Sequence, residues 1–446
     1  MLETFGNAFK IKELRNRIYF TFLMVLVFRL GCQIPTPGID AAAMQKMIAD
    51  HANSVLGFFN IFSGGALEKF SVFALGITPY INSSIIMQLL VYVIPQLEHM
   101  AKEEGEEGRR KISQYTRYGT VVIGALQAFG ICVWLENLGS RSSGFGNIVA
   151  EPGWTFRVMA VLTLTAGTAF IMWLGEQMTA MGIGNGVSIL ITAGIVSRLP
   201  SAAWTVVQTF ELDKGNPIGF VKFIALLGIV FGITAAVVAI QDAVRKIPVQ
   251  HAKRVVGRRI YGGASTHIPL RVNQGGVIPV IFASSVLMFP TMLLDYIVKM
   301  GDMQAKTDIL SSSLKWMQGI FIPGAWAYML AEFGLIIFFT YFYTAIQLNP
   351  KEISDNLKKY GGFIPGIRAG RKTAEYIDRI LNRITLAGAV FLGLIALVPQ
   401  MMWGLFRLNV YFGGTSLLIV VGVALDTVRQ MESHMVTRHY QGFMRQ

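Results

Sequence analysis

The sequence predicts an all-α polytopic membrane protein with ten transmembrane helices. Three observations carry that expectation. Of 446 residues, 53% are apolar and 15% charged, against about 25% charged in an average soluble protein; the mean hydropathy is +0.51. The apolar residues gather in ten stretches, near 18–34, 71–95, 119–136, 155–175, 183–200, 218–240, 272–294, 317–347, 380–398 and 408–428. Most approach the roughly 20 residues that a helix needs to cross a hydrocarbon core. They lack period-2 alternation, and a spanning chain must satisfy its backbone internally. The third observation is charge placement. Ten spans put both termini on one side, and 27 of the 39 Lys and Arg fall there, with nine opposite. The cation-rich side is expected to be cytoplasmic.

Taken in order, residues 1–17 are polar and of mixed charge. Cys32-Gln33-Ile34-Pro35 is no small-residue cleavage site, so the first apolar stretch is expected to remain as a span. Arg29 lies near the outer end of that span, where a long side chain snorkels to the interface. Residues 57–67 are apolar but too short to cross. They suit a re-entrant element packed inside a bundle, broken at Ser63-Gly64-Gly65, or a short amphipathic helix on the outer surface. The second span carries Asn82, Ser83, Ser84 and Gln88. Glu103 to Glu107 and Arg109 to Lys111 form a solvated charge run. Gly182-Ile183-Gly184-Asn185-Gly186 opens an apolar helix without following a strand. That suits a tight turn better than a nucleotide fingerprint.

Loops 241–271 and 348–383 run to about 30 residues each and are strongly basic. Topology setting and attraction to anionic lipid account for their charge. Their length, where short connections are the norm, suggests a docking surface for a large acidic partner or nucleic acid.

Catalytic chemistry has little support. His51, His99, His251, His267, His434 and His439 show no metal-ligand spacing, and hydrolase, zinc-protease and Walker motifs are missing. Cys32 and Cys132 lie in apolar runs and read as small buried hydrophobes. Glu332 is the single carboxylate placed well inside an apolar region. One such group is thin support for a proton relay.

The chain resembles the SecY family, the pore subunits of the Sec protein translocon. The likeness rests on Ile34-Pro35-Thr36-Pro37-Gly38-Ile39-Asp40, on Asn60 to Leu67 and on Phe73 to Ile77. It continues through Met172 to Glu176, Gly182 to Gly186, Arg245 to Arg254, Gly361 to Arg368 and Gly413 to Ile419. The resemblance implies two pseudo-symmetric inverted five-helix halves with a re-entrant plug helix at 57–69. The halves fall at 18–205 and 217–430, with a tail at 431–446. It implies a central channel that conducts unfolded secretory polypeptides and releases apolar segments sideways, with no cofactor and no catalysis.

Carried over by position, the pore ring is Ile81, Ile85, Val187, Ile191, Ile278 and Ile419. The plug is Phe58, Phe59, Asn60, Ile61, Phe62, Ser63, Gly64, Gly65, Ala66 and Leu67. Spans two, three, seven and eight form a lateral gate, with Ser83, Ser84, Gln88, Gln127, Ser284 and Ser285 as its polar seam. Simple helix packing also accounts for such small polar residues. Arg254, Arg258, Arg259, Lys358, Lys359, Arg368 and Arg371 match the cytoplasmic docking surface. The partners implied are SecE, SecG, the SecA motor, the ribosome, signal sequences and nascent chains, and anionic lipids. The membrane implied is a bacterial plasma membrane. Two residues depart from the family pattern. Ala369 replaces a proline, which bears on loop stiffness, and Val187 replaces an isoleucine, which slightly widens the waist. A small-solute transporter is the runner-up, and an intramembrane enzyme a distant third.

Overall fold

The computed structural model describes residues 9, 11–50, 60, 63–141, 148–210, 217–251, 254–256, 259–261, 265–287, 294, 313, 316–317, 319, 325–406 and 414–443. Among the described residues, six helices are long and apolar enough to cross a membrane, or seven counting one bent pair.

Helix α1 (Lys12–Gly31) buries Leu14, Phe28 and Gly31 and exposes Tyr19, Phe22, Leu23, Leu26 and Leu30. One stripe packs inward and the other faces outward. Helix α2 (Ala41–Asp50) follows, capped by Asp40, whose Oδ1 accepts from the Ala42 N–H at 2.9 Å. The chain then returns beside the end of α1. The Thr36 N–H donates to the Phe70 carbonyl and the Val72 N–H to that of Ile34, both at 2.9 Å.

The second span starts later than expected, because residues 71–77 are bridge and turn. Helix α3 (Thr78–Val93) carries Pro79 in its first turn, where a missing N–H costs nothing. Pro95 holds Ile94 extended, and α4 (Pro95–Lys102) leaves α3 at 99°. Helix α5 (Gly105–Arg141) has 37 residues, about 55 Å at 1.5 Å per residue. The charge run at its start is therefore helix projecting beyond the apolar stretch. Helix α6 (Trp154–Met181) packs along α5. The fifth span is broken into α7 (Gly186–Val196) and α8 (Leu199–Thr209), with Pro200 at the second start.

Helix α9 (Pro217–Asp242) buries little of itself; Phe220 and Phe231 are exposed. The loop after it forms strands that the helical expectation did not include. Strands β1 (Val244–His251) and β4 (Ser265–Arg271) pair antiparallel, with Ile247 opposite Ile268, and β2 (Arg254–Val256) pairs with β3 (Arg259–Tyr261). Helix α10 (Ile278–Leu287) lies within the seventh expected span, whose residues 272–277 are not helical.

Helix α11 (Trp326–Gln347) is followed by α12 (Pro350–Lys359), whose cap Asn349 accepts from the Lys351 N–H. Strand β5 (Gly362–Phe363) adds to the free edge of β1. Helix α13 (Arg371–Phe406) begins earlier than the ninth apolar stretch, so the second basic loop is shorter than expected and Arg371, Arg379 and Arg383 are helical. Helix α14 (Gly414–Phe443) ends the described chain. Ile247, Val249, Leu270, Ile364, Ile377 and Leu381 form a small core under the sheet. The side of the molecule bearing it is the sheet face.

Candidate pore and gate

Among the described residues, the largest apolar cluster draws residues from both halves of the chain. Ile81 and Ile85 of α3, Ile191 of α7 and Ile419 of α14 are buried in it, and Val187 and Ile278 pack against it half-buried. Ile81 with Ile85, and Val187 with Ile191, are i,i+4 pairs on one helix face. All six proposed ring residues, from four helices, thus belong to this cluster or pack against it. Ala66 belongs to the same cluster, so part of the proposed plug lies against it.

The proposed plug is only partly described. Asn60 is helical and residues 63–70 are turn; Phe58, Phe59, Ile61 and Phe62 lie outside the described residues. What is described is firmly seated. The Asn60 Oδ1 accepts from the Glu68 N–H at 3.1 Å, and Ser63 Oγ donates to the Asn60 carbonyl at 3.1 Å. Gly64 has φ +68°, and a Cβ there would stand 2.9 Å from the Cα of Gly194. Only glycine combines that backbone with that approach to α7.

Two cations outside the turn hold it. Arg29 Nη1 donates to the Gly64 carbonyl at 2.8 Å and to Ser197 Oγ at 3.0 Å. This replaces the expected snorkelling, because the guanidinium finds acceptors inside the protein. Arg198 pairs with Glu68. Neither role was legible, since Gly64 and Arg29 are 35 residues apart and Glu68 and Arg198 are 130 apart.

Three of the proposed seam residues bond within one helix or to the adjacent one. Ser83 Oγ donates to the Thr116 carbonyl of α5 at 2.7 Å, Gln88 Nε2 to Ser84 Oγ at 3.1 Å, and Ser284 Oγ to the Val280 carbonyl at 2.5 Å. Gln127 Oε1 is buried without a partner, and Ser285 is buried. Aromatic rings, which the sequence reading missed, cross the seam. Tyr92 of α3 meets Phe342 of α11 edge-on, with centroids 5.7 Å apart, and Phe338 stacks on Phe342. On the opposite flank, α7 packs on α14 and the Gly184 N–H donates to Gln430 Oε1. The Gly182 to Gly186 segment is the expected tight turn, with Gly184 at φ +79° and Asn185 capping α7.

Among the described residues, the carboxylates that the sequence places in or near the spans are engaged; Asp295 lies outside the described residues. Glu176 pairs with Arg117 at 2.9 Å, and Asp242 pairs with Arg429. Glu332 is buried and has an interaction partner. Among the described residues no cluster of His, Cys, Asp and Glu fits a metal ion.

On the sheet face, Lys358 and Lys359 end α12, exposed, and Arg368 stands exposed between Gly366 (φ +78°) and Gly370 (φ +99°). Thr373 Oγ1 donates to the Arg368 carbonyl at 3.0 Å and Ser354 Oγ to that of Gly370 at 2.7 Å. The turn is therefore tied at both ends despite Ala369. Arg371 is almost fully exposed and pairs with Glu375. Arg254 and Arg259 lie at opposite ends of the β2–β3 ladder, and Arg258 lies outside the described residues.

The model of the family described as SecY matches residues 71–428. The chain belongs to the SecY family. A curated relative, protein translocase subunit SecY of Thermotoga maritima, is 46% identical over 100% of this chain and 98% of its own. The chain is thus a protein translocase subunit and a multi-pass membrane protein, of a family of channels rather than enzymes. Its fold is similar to that of a solved structure described as a protein-conducting channel, with TM-score 0.64, 17% identity and coverage of 95% and 93%. It is also similar to Sec61 in the canine ribosome-channel complex from the endoplasmic reticulum, with TM-score 0.58, 15% identity and the same coverage.

Proposed function

We propose that this SecY-family chain seals its resting pore with the ring Ile81, Ile85, Val187, Ile191, Ile278 and Ile419, backed by the turn at Ser63 to Leu67. Unfolded polypeptide crosses through the ring. Apolar segments leave sideways between α3 and α11, past the Tyr92–Phe342 contact. The single observation that carries this reading is that Ile81, Ile85, Ile191, Ile419 and Ala66 share one apolar cluster, with Val187 and Ile278 packed against it. A narrow apolar constriction excludes ions by dewetting. It offers no hydrogen bonds, so it discriminates little between passing sequences.

The sheet face is the cytoplasmic face in this reading, in the plasma membrane of a bacterium, with both termini on that side. Arg254, Arg258, Arg259, Lys358, Lys359, Arg368 and Arg371 dock the ribosome and the SecA motor there, because guanidinium and ammonium groups suit both RNA phosphates and acidic protein surfaces. SecE and SecG complete the complex, and anionic lipids meet the basic rim. The likeness to a channel solved on a ribosome supports the ribosomal part.

The test is conductance of the reconstituted resting channel with Ile85, Ile191 and Ile278 replaced together by serine. Ion leakage is expected to rise at least tenfold, with retained thermal stability in detergent as the folding control. Unchanged leakage removes these residues from the seal.

A further inference from the structure

Ile278 is the first residue of α10, so its place in the proposed ring depends on how the turn before it is seated. The Val277 carbonyl accepts from the Val280 and Ile281 N–H groups, both at 3.2 Å, and Val277 thereby starts the helix. Asn273 Nδ2 donates to the Gly276 carbonyl at 2.8 Å, and the Val272 N–H to that of Ala243 at 2.9 Å. These bonds shape the turn. What fixes its depth in the bundle is contact with two neighbouring helices.

Both neighbours meet it at glycine. On α14, a Cβ at Gly422 would stand 2.3 Å from Val277 Cγ1 and 2.7 Å from Gln241 Nε2. On α13, a Cβ at Gly388 would stand 2.6 Å from the Val272 carbonyl oxygen. Both glycines lie within helices, where glycine is less stable than alanine. Close approach, rather than backbone angle, therefore accounts for them.

The two neighbours of residue 422 would yield differently. Gln241 is long, and its Nε2 makes no hydrogen bond in the protein, so it swings aside without losing one. Val277 is branched at Cβ, which restricts its rotamers, and it is buried in the apolar cluster. Its backbone must move, and Ile278 moves with it. Farther along α10, Phe282 meets Phe339 and Tyr343 of α11 edge-on, with centroids 5.8 and 6.1 Å apart. A push at Val277 consequently shifts the first turn of a helix held beyond it.

We propose that Gly422 is a positioning residue for the seal. By admitting Val277 against α14 it sets the place of Ile278, and through Ile278 how tightly the resting pore closes. The inference rests on the pore reading above and adds a residue that acts through another.

The experiment measures ion leakage of the assembled channel reconstituted in vesicles. Gly422→Ala is expected to raise resting leakage about fivefold. Adding Val277→Ala, which removes the opposed methyls, is expected to bring leakage to within about twofold of the Val277→Ala single variant. Val277→Ala is not expected to offset Gly388→Ala, whose Cβ meets a backbone carbonyl. Unchanged leakage in Gly422→Ala, or a rise that Val277→Ala leaves in place, overturns the inference. Equal offset of both glycine variants overturns it in favour of general loosening. Val277→Ile presses the same contact from the other side and should also raise leakage; no rise there overturns the inference even if Gly422→Ala fails to fold. If the triple serine variant of the ring leaks and Gly422→Ala does not, this inference falls alone; if neither leaks, the pore reading falls with it.

Discussion

Arg29 reaches across 35 residues to donate to the Gly64 carbonyl at 2.8 Å, and the same nitrogen donates to Ser197 Oγ at 3.0 Å. One guanidinium thus ties the end of α1 to the glycine turn and to the break between α7 and α8. The Glu68–Arg198 pair makes a second tie at the same place. The turn, whose Ala66 shares the apolar cluster of the proposed ring, is consequently held by polar bonds at its edge, which exchange more readily than core packing.

Breaking the second tie is expected to loosen the seal. Both side chains are about 30% exposed (Glu68 30%, Arg198 28%), so the pair is worth about 1 kcal/mol at most. That corresponds to roughly fivefold in the open population. Glu68→Gln should raise resting conductance by about that factor, and the exchange Glu68→Arg with Arg198→Glu should recover part of it. Single-channel recording of the reconstituted protein reads both.

Gly64→Ala places a Cβ against Gly194 at a backbone angle that alanine adopts at a cost of about 1 kcal/mol or more. The turn should shift from its seat. Resting conductance should again rise several-fold, while thermal unfolding in detergent changes little, because the helices do not depend on this contact.

Glu136 and Arg157 behave differently. The carboxylate is 7% exposed, lies 2.6 Å from Arg157 and accepts from the Gly153 N–H at 3.0 Å. It joins the ends of α5 and α6. Arg157→Met leaves a buried charge unpaired and should cost about 3 kcal/mol. Replacing both residues with apolar ones of similar size should cost much less. Thermal melting of the single and double variants measures the difference.

The Tyr92–Phe342 contact should set how easily the seam parts. Aromatic pairs contribute about 0.5–1.5 kcal/mol beyond burial. Tyr92→Ala should therefore speed lateral release of weakly apolar signal segments by about two- to tenfold, and strongly apolar ones by less. Time-resolved membrane partitioning of stalled chains distinguishes the two.

Arg368→Glu is expected to impair motor-driven transport while the channel still inserts and assembles. The side chain is exposed and the turn is held by Thr373 and Ser354 rather than by the arginine itself. Transport into vesicles, normalised to channel content, checks this.

Much of this architecture was readable from residue order. The proposed ring came from the resemblance to the SecY family, with which the i,i+4 spacing of Ile81 and Ile85 and of Val187 and Ile191 agrees, and Gly182 to Gly186 reads as a turn because glycine tolerates its angles. The sheet also left a trace. Ile247 and Val249 alternate with Lys246, Pro248 and Gln250, a period of two that the surrounding cations obscured. The ties of Arg29 and Arg198 left none, because a residue's neighbours in sequence carry no record of acceptors 35 or 130 residues away. The aromatic contact left no trace either: Tyr92 meets Phe342 across 250 residues of sequence, a pairing that depends on tertiary packing, whereas Ser84 and Ser284 bond within one helical turn.

The proposed waist through which polypeptide passes is the ring Ile81, Ile85, Val187, Ile191, Ile278 and Ile419. A photocrosslinker placed at Ile191 in the assembled channel, with a secretory chain arrested in transit, tests it most directly. The expected product is a covalent adduct with the arrested chain, moving along that chain as the point of arrest is moved. Adducts only with lipid or with neighbouring helices, at every arrest point, would contradict it.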